Sequence, residues 1–158
     1  MTKNNSDKIP HYTESIFYEL KQMARILKFH ADQVFEELNF EISPGEYCTL
    51  DIIMCNPSLC QRDLSKLLLL DRANTGRILN NLEAKGLIVR TVDTKNNRLI
   101  KKVDITKDGS DELNRINHLI IDKYHKITEK IPQKEFDSVR LSIRKLRENM
   151  EKQIENKI

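Results

Sequence analysis

Residues 71–90, DRANTGRILNNLEAKGLIVR, constrain the fold more than any other stretch of this chain. Asp71 can cap a helix by accepting backbone N–H bonds. Ile78, Leu79 and Leu82 give that helix an apolar side, while Asn74, Arg77 and Asn81 lie on another. Gly86 can take the left-handed conformation that ends a helix. Leu87, Ile88 and Val89 then favour a strand. A helix held down by one face, with a cationic and amide-rich face outward, has the chemistry to enter a major groove. It equally describes an ordinary solvated helix, so its surroundings decide.

Charge is the first of those surroundings. The net charge of +3 is modest, but its distribution is not even. Residues 72–102 hold eight Lys or Arg (72, 77, 85, 90, 95, 98, 101 and 102) against two acids, Glu83 and Asp93. Residues 1–40 hold five basic and six acidic side chains. A concentrated positive field favours a polyanionic partner. The chain of 158 residues, 39% hydrophobic and 32% charged, is long enough for one domain with a real core. No apolar run reaches the roughly 18 residues of a membrane helix, and MTKNNSDKIP lacks the apolar core of a signal peptide. Cys48, Cys55 and Cys60 make an odd count without metal-ligand spacing. A reduced cytoplasmic protein is expected, with no cofactor, no metal and no membrane contact.

Residues 1–9 read as a flexible arm, with Pro10 as a first helical residue. From His11 to about Leu38, apolar residues recur at three and four, which predicts a helix of about 28 residues. Ser43-Pro44-Gly45-Glu46 is a strong helix start, combining a cap, an early proline and an acid three beyond the cap. Tyr47, Leu50, Ile53 and Met54 form the inward side of this second helix, and Asn56-Pro57 breaks it. Leu59 and Cys60 suggest a short strand. A helix follows from about Gln61 to Leu69, with Leu64, Leu67 and Leu68 inward. Its link to the Asp71 helix is short enough for a helix-turn-helix. Leu87–Val92 and Leu99–Ile105 read as a hairpin around the turn composition of residues 93–97. A hairpin with Lys95 and Arg98 at its tip is a wing that can place a cation in a narrow minor groove.

Thr106 can cap a further helix running to about residue 131, with Leu113, Ile116, Ile120, Tyr124, Ile127 and Ile131 on one side. Gly109 in its first turn weakens it slightly. Pro132 ends that segment. A last helix from Gln133 to beyond Met150 carries Phe136, Val139, Ile143, Leu146, Met150 and Ile154 in a three-four rhythm. These two helices and the first have apolar sides with little domain left to cover. Pairing the two ends of the chain with those of a second copy solves this, so a two-fold homodimer is expected.

The expected architecture is mainly α with a small β-hairpin wing, of α+β class. A winged helix-turn-helix lobe at 43–106 is flanked by a helical dimerisation region at 10–38 and 107–158. In this arrangement the chain resembles the MarR family of winged helix-turn-helix transcription regulators. The resemblance spans about residues 10–155 and rests on SPGEYCTLDII, on QRDLSKLLLLDRANTGRILNNLEAKGLIVR and on ITKDG at 105–109. Two positions depart from the family pattern. The wing tip reads Asn96-Asn97-Arg98 where an Asp usually braces the Arg, which leaves Asp93 as a substitute brace. Ala73 and Gly76 stand where hydroxyl residues are common; Gly76 permits close approach of backbone to DNA at a cost of about 1 kcal/mol.

The resemblance implies a dimer placing helix 72–85 of each subunit in a major groove, about one turn apart, on an inverted-repeat operator. Arg77 suits guanine, Asn74 adenine, and Thr75 a thymine methyl. Gln61, Arg62, Lys66 and Arg72 are the phosphate contacts, which position but do not specify. Lys95 and Arg98 serve the minor groove. Repression is the implied behaviour, relieved by a small aromatic or amphipathic effector in a pocket assigned to Phe17, Tyr47 and Tyr124. One alternative is a redox-responsive regulator of the same fold acting through Cys60. Another is a winged-helix protein-interaction adaptor, against which the basic residues at 72–102 argue. An enzyme is not expected: no nucleophile–base arrangement, glycine-rich phosphate loop or working carboxylate pair is present.

Overall fold

The computed structural model describes residues 11–95 and 98–155. The stretch 1–9 read as an arm, Pro10, Asn96 and Asn97 of the expected turn, and residues 156–158 lie outside these. The chain divides into two compact units, residues 1–116 and 117–158.

The first unit begins with a 3-10 turn, Tyr12–Glu14, and helix α1, Ile16–Glu37. These are not one helix. Ser15 is extended, and its Oγ caps α1 by accepting from the Tyr18 N–H at 3.3 Å while donating to the Tyr12 carbonyl at 2.6 Å. A serine hydroxyl offers the backbone an alternative to continuing the helix, so the helix expected from His11 starts five residues later and spans 22 residues. Only its C-terminal end is buried, at Val34 and Phe35. Ile16, Phe17, Met23, Ile26, Leu27 and Phe29 are all exposed.

Helix α2, Pro44–Cys55, starts as its sequence requires: the Ser43 Oγ accepts from the Glu46 N–H at 3.2 Å, and Glu46 Oε2 accepts from the Ser43 N–H at 2.8 Å. Thr49, Leu50 and Ile53 are buried, whereas Met54, expected inward, is exposed. After the Asn56-Pro57 break, Ser58 takes a left-handed φ of 56° and donates its N–H to Asp104 Oδ1 at 2.6 Å. That bond sets β1, Leu59–Cys60, against the later strand β3.

Helix α3, Gln61–Leu68, and helix α4, Arg72–Ala84, are joined through Leu69, left-handed at φ 53°. Leu64 and Ser65 are the buried residues of α3, and Leu67 points outward instead of in. The end of α4 closes through Gly86 at φ 72°, with Gly86 N–H to the Glu83 carbonyl and Leu87 N–H to the Leu82 carbonyl, both at 2.9 Å. This is a Schellman closure, which satisfies carbonyls that the helix would otherwise leave open.

Strands β2, Ile88–Lys95, and β3, Arg98–Ile105, pair antiparallel from Ile88↔Ile105 to Lys95↔Arg98, giving the sheet order β1-β3-β2. The turn expected over 93–97 is therefore shorter: Asp93, Thr94 and Lys95 stay in the ladder. An ion pair from Lys102 Nζ to Asp93 Oδ2 ties the strands diagonally.

Helix α5, Lys107–Thr128, is capped by Thr106, whose Oγ1 accepts from the Gly109 N–H at 3.0 Å and donates to the Gly86 carbonyl at 2.8 Å. Leu50, Ile53, Leu64, Leu79, Leu82, Val103, Leu113 and Ile116 form the nearly waterless core of this unit.

The second unit holds the rest of α5 and helix α6, Gln133–Glu155. Helix α5 ends at Thr128, three residues before the expected limit, where the Thr128 Oγ1 bonds back to the Tyr124 carbonyl at 3.2 Å. Phe136, Val139, Ile143, Met150 and Ile154 along α6 are all exposed. Among the described residues, no helix is long and apolar enough to cross a membrane.

Candidate nucleic-acid interface

Helix α4 is fixed from below by Thr75, Leu79 and Leu82, all fully buried, with Ile78 half-buried. On the opposite side of the helix, Ala73, Asn74, Arg77, Asn80 and Asn81 are exposed. The helix thus presents one cation and three amides to solvent on a rigid support.

Its first turn is organised by Asp71. Oδ1 accepts from the Asn74 backbone N–H and Oδ2 from the Asn74 side-chain Nδ2, both at 2.7 Å. These bonds from Asn74, the backbone one foremost, hold the Asp71 carboxyl below its ordinary pKa. Asn74 Oδ1 in turn accepts from Arg77 Nη2 at 3.4 Å. An amide has two donor hydrogens and two acceptor lone pairs, so Asn74 keeps one of each for a further partner.

Thr75 is a correction. Its side chain has no exposure, and its Oγ1 donates to the Asp71 carbonyl at 2.9 Å. The methyl group therefore lies in the core and cannot meet a thymine. Asn80 was missed by sequence reasoning. It stands three residues beyond Arg77, and helical spacing alone puts it on the same face.

The residues expected at phosphates divide. Arg62, Lys66 and Arg72 are exposed. Gln61 is half-buried between the two helices, where a Cβ at Gly76 would stand 3.8 Å from its Nε2. Lys95 and Arg98 occupy facing ends of β2 and β3, and their side chains lie outside the described residues. Asp93, considered as a brace for Arg98, is committed to Lys102, and that bond lowers its pKa first of all.

Pairing also reduces the positive field inferred from the sequence. Arg90 donates through Nε, at 3.0 Å, and through Nη2 to Glu83 Oε2. The bond depresses the Glu83 carboxyl and raises Arg90. Lys85 Nζ donates to Glu46 Oε2 at 3.0 Å and to the Glu41 carbonyl at 2.8 Å. With Lys102 on Asp93, three of the eight cations have internal work: tying α4 to β2, tying α4 to the start of α2, and bracing the hairpin. Arg72, Arg77 and Lys101 remain as exposed described cations.

Of the residues assigned to an effector pocket, Phe17 and Tyr47 of the first unit do not come together. The Tyr47 ring packs edge-on against Phe35, 5.6 Å between centroids. Phe17 lies 18 residues earlier on the same helix as Phe35, about 27 Å away at the helical rise. Phe17 and Tyr47 therefore cannot line one small cavity, and Tyr124 belongs to the second unit. A cavity of about 570 Å³ in the first unit is bordered by Glu41, Asp108, Asp111 and Glu112 with Lys85 and Arg115. All three cysteines are free thiols; Cys60 is half-buried at the start of α3.

Residues 42–100 match the MarR family model. The uncharacterized HTH-type transcriptional regulator YybA of Bacillus subtilis (strain 168) is 31% identical over 94 residues, 60% of this chain. The chain spans 61% of that relative's length. Among solved structures, the transcriptional regulator SlyA superposes with a TM-score of 0.72 at 24% identity, over 86% of this chain and 94% of that one. The Staphylococcus aureus MepR–DNA complex superposes with a TM-score of 0.69 at 22% identity, over 86% of this chain and 96% of that one. At such identities the structures establish the fold. The helix-turn-helix and hairpin thus match the MarR family model in sequence over residues 42–100, and the winged fold around them is shared with these solved structures.

Proposed function

We propose that this chain is a sequence-specific double-stranded-DNA-binding transcription regulator that works as a homodimer. The observation that carries this reading is the construction of α4. Its apolar side and Thr75 are sunk into the core, and Arg77 stands on the opposite face among Asn74, Asn80 and Asn81. A helix so mounted can be pressed into a major groove without losing its own packing. Arg62, Lys66 and Arg72 flank it for phosphates. The MepR likeness supports the reading, since that protein is solved on DNA.

Dimerisation rests on the apolar residues left in solvent along α1, α5 and α6. A monomer rarely leaves so many large apolar side chains uncovered. The helical regions 10–38 and 107–158 would join two copies, leaving the 43–106 lobes to read an inverted repeat. Repression, with release by a small effector that binds one lobe spacing better than the other, completes the proposal.

Selection from random duplexes followed by gel shifts tests it. Wild type should enrich an inverted repeat. Arg77→Ala should bind the enriched site about 1–3 kcal/mol more weakly, with preference relaxed at one base pair per half-site. Lys66→Ala should weaken all sequences alike and lower the salt slope by about one. No retained duplex at low salt, together with a single-chain mass in sedimentation, would overturn the reading.

A further inference from the structure

We infer that Asp71 is a specificity-determining positioning residue: acting through the Asn74 amide, it aims the Arg77 guanidinium, so that base discrimination by Arg77 depends on a carboxylate that need not touch DNA. The inference rests on the DNA-reading role proposed for α4.

The geometry is a three-residue relay along the first two turns of one helix. Asp71 uses its two oxygens for different tasks. Oδ1 closes the helix start on the Asn74 backbone N–H, and Oδ2 takes the Asn74 Nδ2, each at 2.7 Å. The second bond fixes which way the amide faces. With its nitrogen turned to Asp71, Asn74 must offer its oxygen on the other side, where Arg77 Nη2 donates to it at 3.4 Å. Were the amide reversed, an NH2 group would face the guanidinium, donor against donor. The carboxylate thus acts as a key for the amide, and the amide as a rest for the arginine.

Arg77 gains from a rest because it is long and exposed. Ordering such a side chain on binding costs entropy, and a partner that holds it beforehand reduces that cost. A planar fork is also selective only when correctly aimed. Thr75 bonds to the backbone carbonyl of Asp71 and leaves the carboxylate to Asn74. The helix capping function and the aiming function therefore sit on separate oxygens and can be separated by substitution.

Asp71→Asn does so. Asparagine caps a helix as well as aspartate, but its NH2 would turn the Asn74 amide over and present a donor to Arg77. It also removes a negative charge beside the DNA-facing surface. Two effects of opposite sign follow. Affinity for unrelated duplex should stay the same or rise. Discrimination at the base pair read by Arg77 should fall about fivefold, the worth of one lost hydrogen bond. Asn74→Ala should lose discrimination at the same base pair, and at the adenine assigned to Asn74 itself, while keeping the Asp71 cap on the residue 74 backbone N–H. Neither should add to the loss in an Arg77→Ala background, since the relay then has nothing to aim.

The experiment is selection from duplexes randomised across the enriched site, read base by base, for wild type, Asp71→Asn, Asn74→Ala, Arg77→Ala and the Asp71→Asn/Arg77→Ala pair, with helix content checked by circular dichroism. For Asp71→Asn, a fall centred on the Arg77 base pair, absent from the pair over Arg77→Ala alone, is the expected result, with Asn74→Ala falling at that base pair as well as at its own. A uniform loss at every position, or an unchanged profile for Asp71→Asn with native helix content, would overturn the relay while leaving the DNA-reading role standing. If wild type enriches no site, that role fails and takes the relay with it.

Discussion

Gly109→Ala should destabilise the protein by about 3 kcal/mol, the upper end of what overpacking costs, and lower Tm by roughly 10 °C. In most helices the same change is favourable, because glycine is the poorer helix former. Here a Cβ would stand 2.0 Å from the Leu87 carbonyl oxygen and 2.9 Å from Ile105 Cγ1. The obstacle is backbone, and that backbone is held. The Leu87 carbonyl accepts from the Thr106 N–H at 3.1 Å, the Leu87 N–H closes α4 on Leu82, and the Thr106 hydroxyl donates to the Gly86 carbonyl. To admit a methyl group, the first turn of α5 must lift off the corner between α4 and β2 and break the bonds that Thr106 makes there. Gly45→Ala is the control. A Cβ at residue 45 meets only Ser43 Oγ, at 3.9 Å, so the change should be neutral or slightly stabilising. Thermal and denaturant unfolding of both variants at one chain concentration measures the contrast. Equal stabilities would mean that the corner yields far more readily than its bonds suggest.

Gly109 also shows where sequence reading stops. From its neighbours it is only a weak residue in a first helical turn; the reason for it lies at Leu87, remote in sequence. The Ser43–Glu46 start was legible because capping chemistry is complete within four residues. So was Gly86, since ending a helix is equally local. Leu69 was not, because a leucine has no intrinsic reason to be left-handed, and the tertiary fold imposes it. Thr75 was misread because the family resemblance placed it among the base contacts, through its methyl group. Yet its spacing from Leu79 and Leu82 is that of an inward stripe, and its oxygen finds the carbonyl four residues earlier. The charge count over 72–102 was right as a count. It overstated the free field because Lys85, Arg90 and Lys102 meet acids only once the chain has folded. Phe17 and Tyr47 were grouped without regard to distance: Tyr47 packs on Phe35, and Phe17 stands 18 residues earlier along α1.

Lys85→Ala should cost about 2 kcal/mol at pH 7, and the cost should shrink as the pH falls. Glu46 is buried, with 6% of its side chain exposed, and shares Oε2 between the Ser43 N–H and Lys85 Nζ. Removing one partner of a buried pair strands the other charge, which costs roughly 3–5 kcal/mol when both are dry. Lys85 is 36% exposed, so water screens part of that and the lower figure applies. Burial acts to raise the Glu46 pKa, but the Ser43 N–H, Lys85 and the Asn81 amide together bring it below the ordinary 4.5. A carboxyl depressed in the folded state contributes stability that is present above pH 4.5 and lost as the pH drops through the folded pKa. Without Lys85, burial is opposed only by Ser43 and Asn81, so the carboxyl rises and protonates earlier. A protonated Glu46 no longer needs the ammonium. The stability gap between wild type and Lys85→Ala should therefore be widest near neutrality and close as the pH falls through the lowered Glu46 pKa. Urea unfolding at stepped pH values reads this directly. Glu46→Gln over Lys85→Ala supplies the cross-check: with no carboxylate to strand, the lysine replacement should lose most of its pH dependence. A gap that stays constant from pH 7 to pH 4 would assign the lysine to its contact with the Glu41 carbonyl rather than to the buried charge.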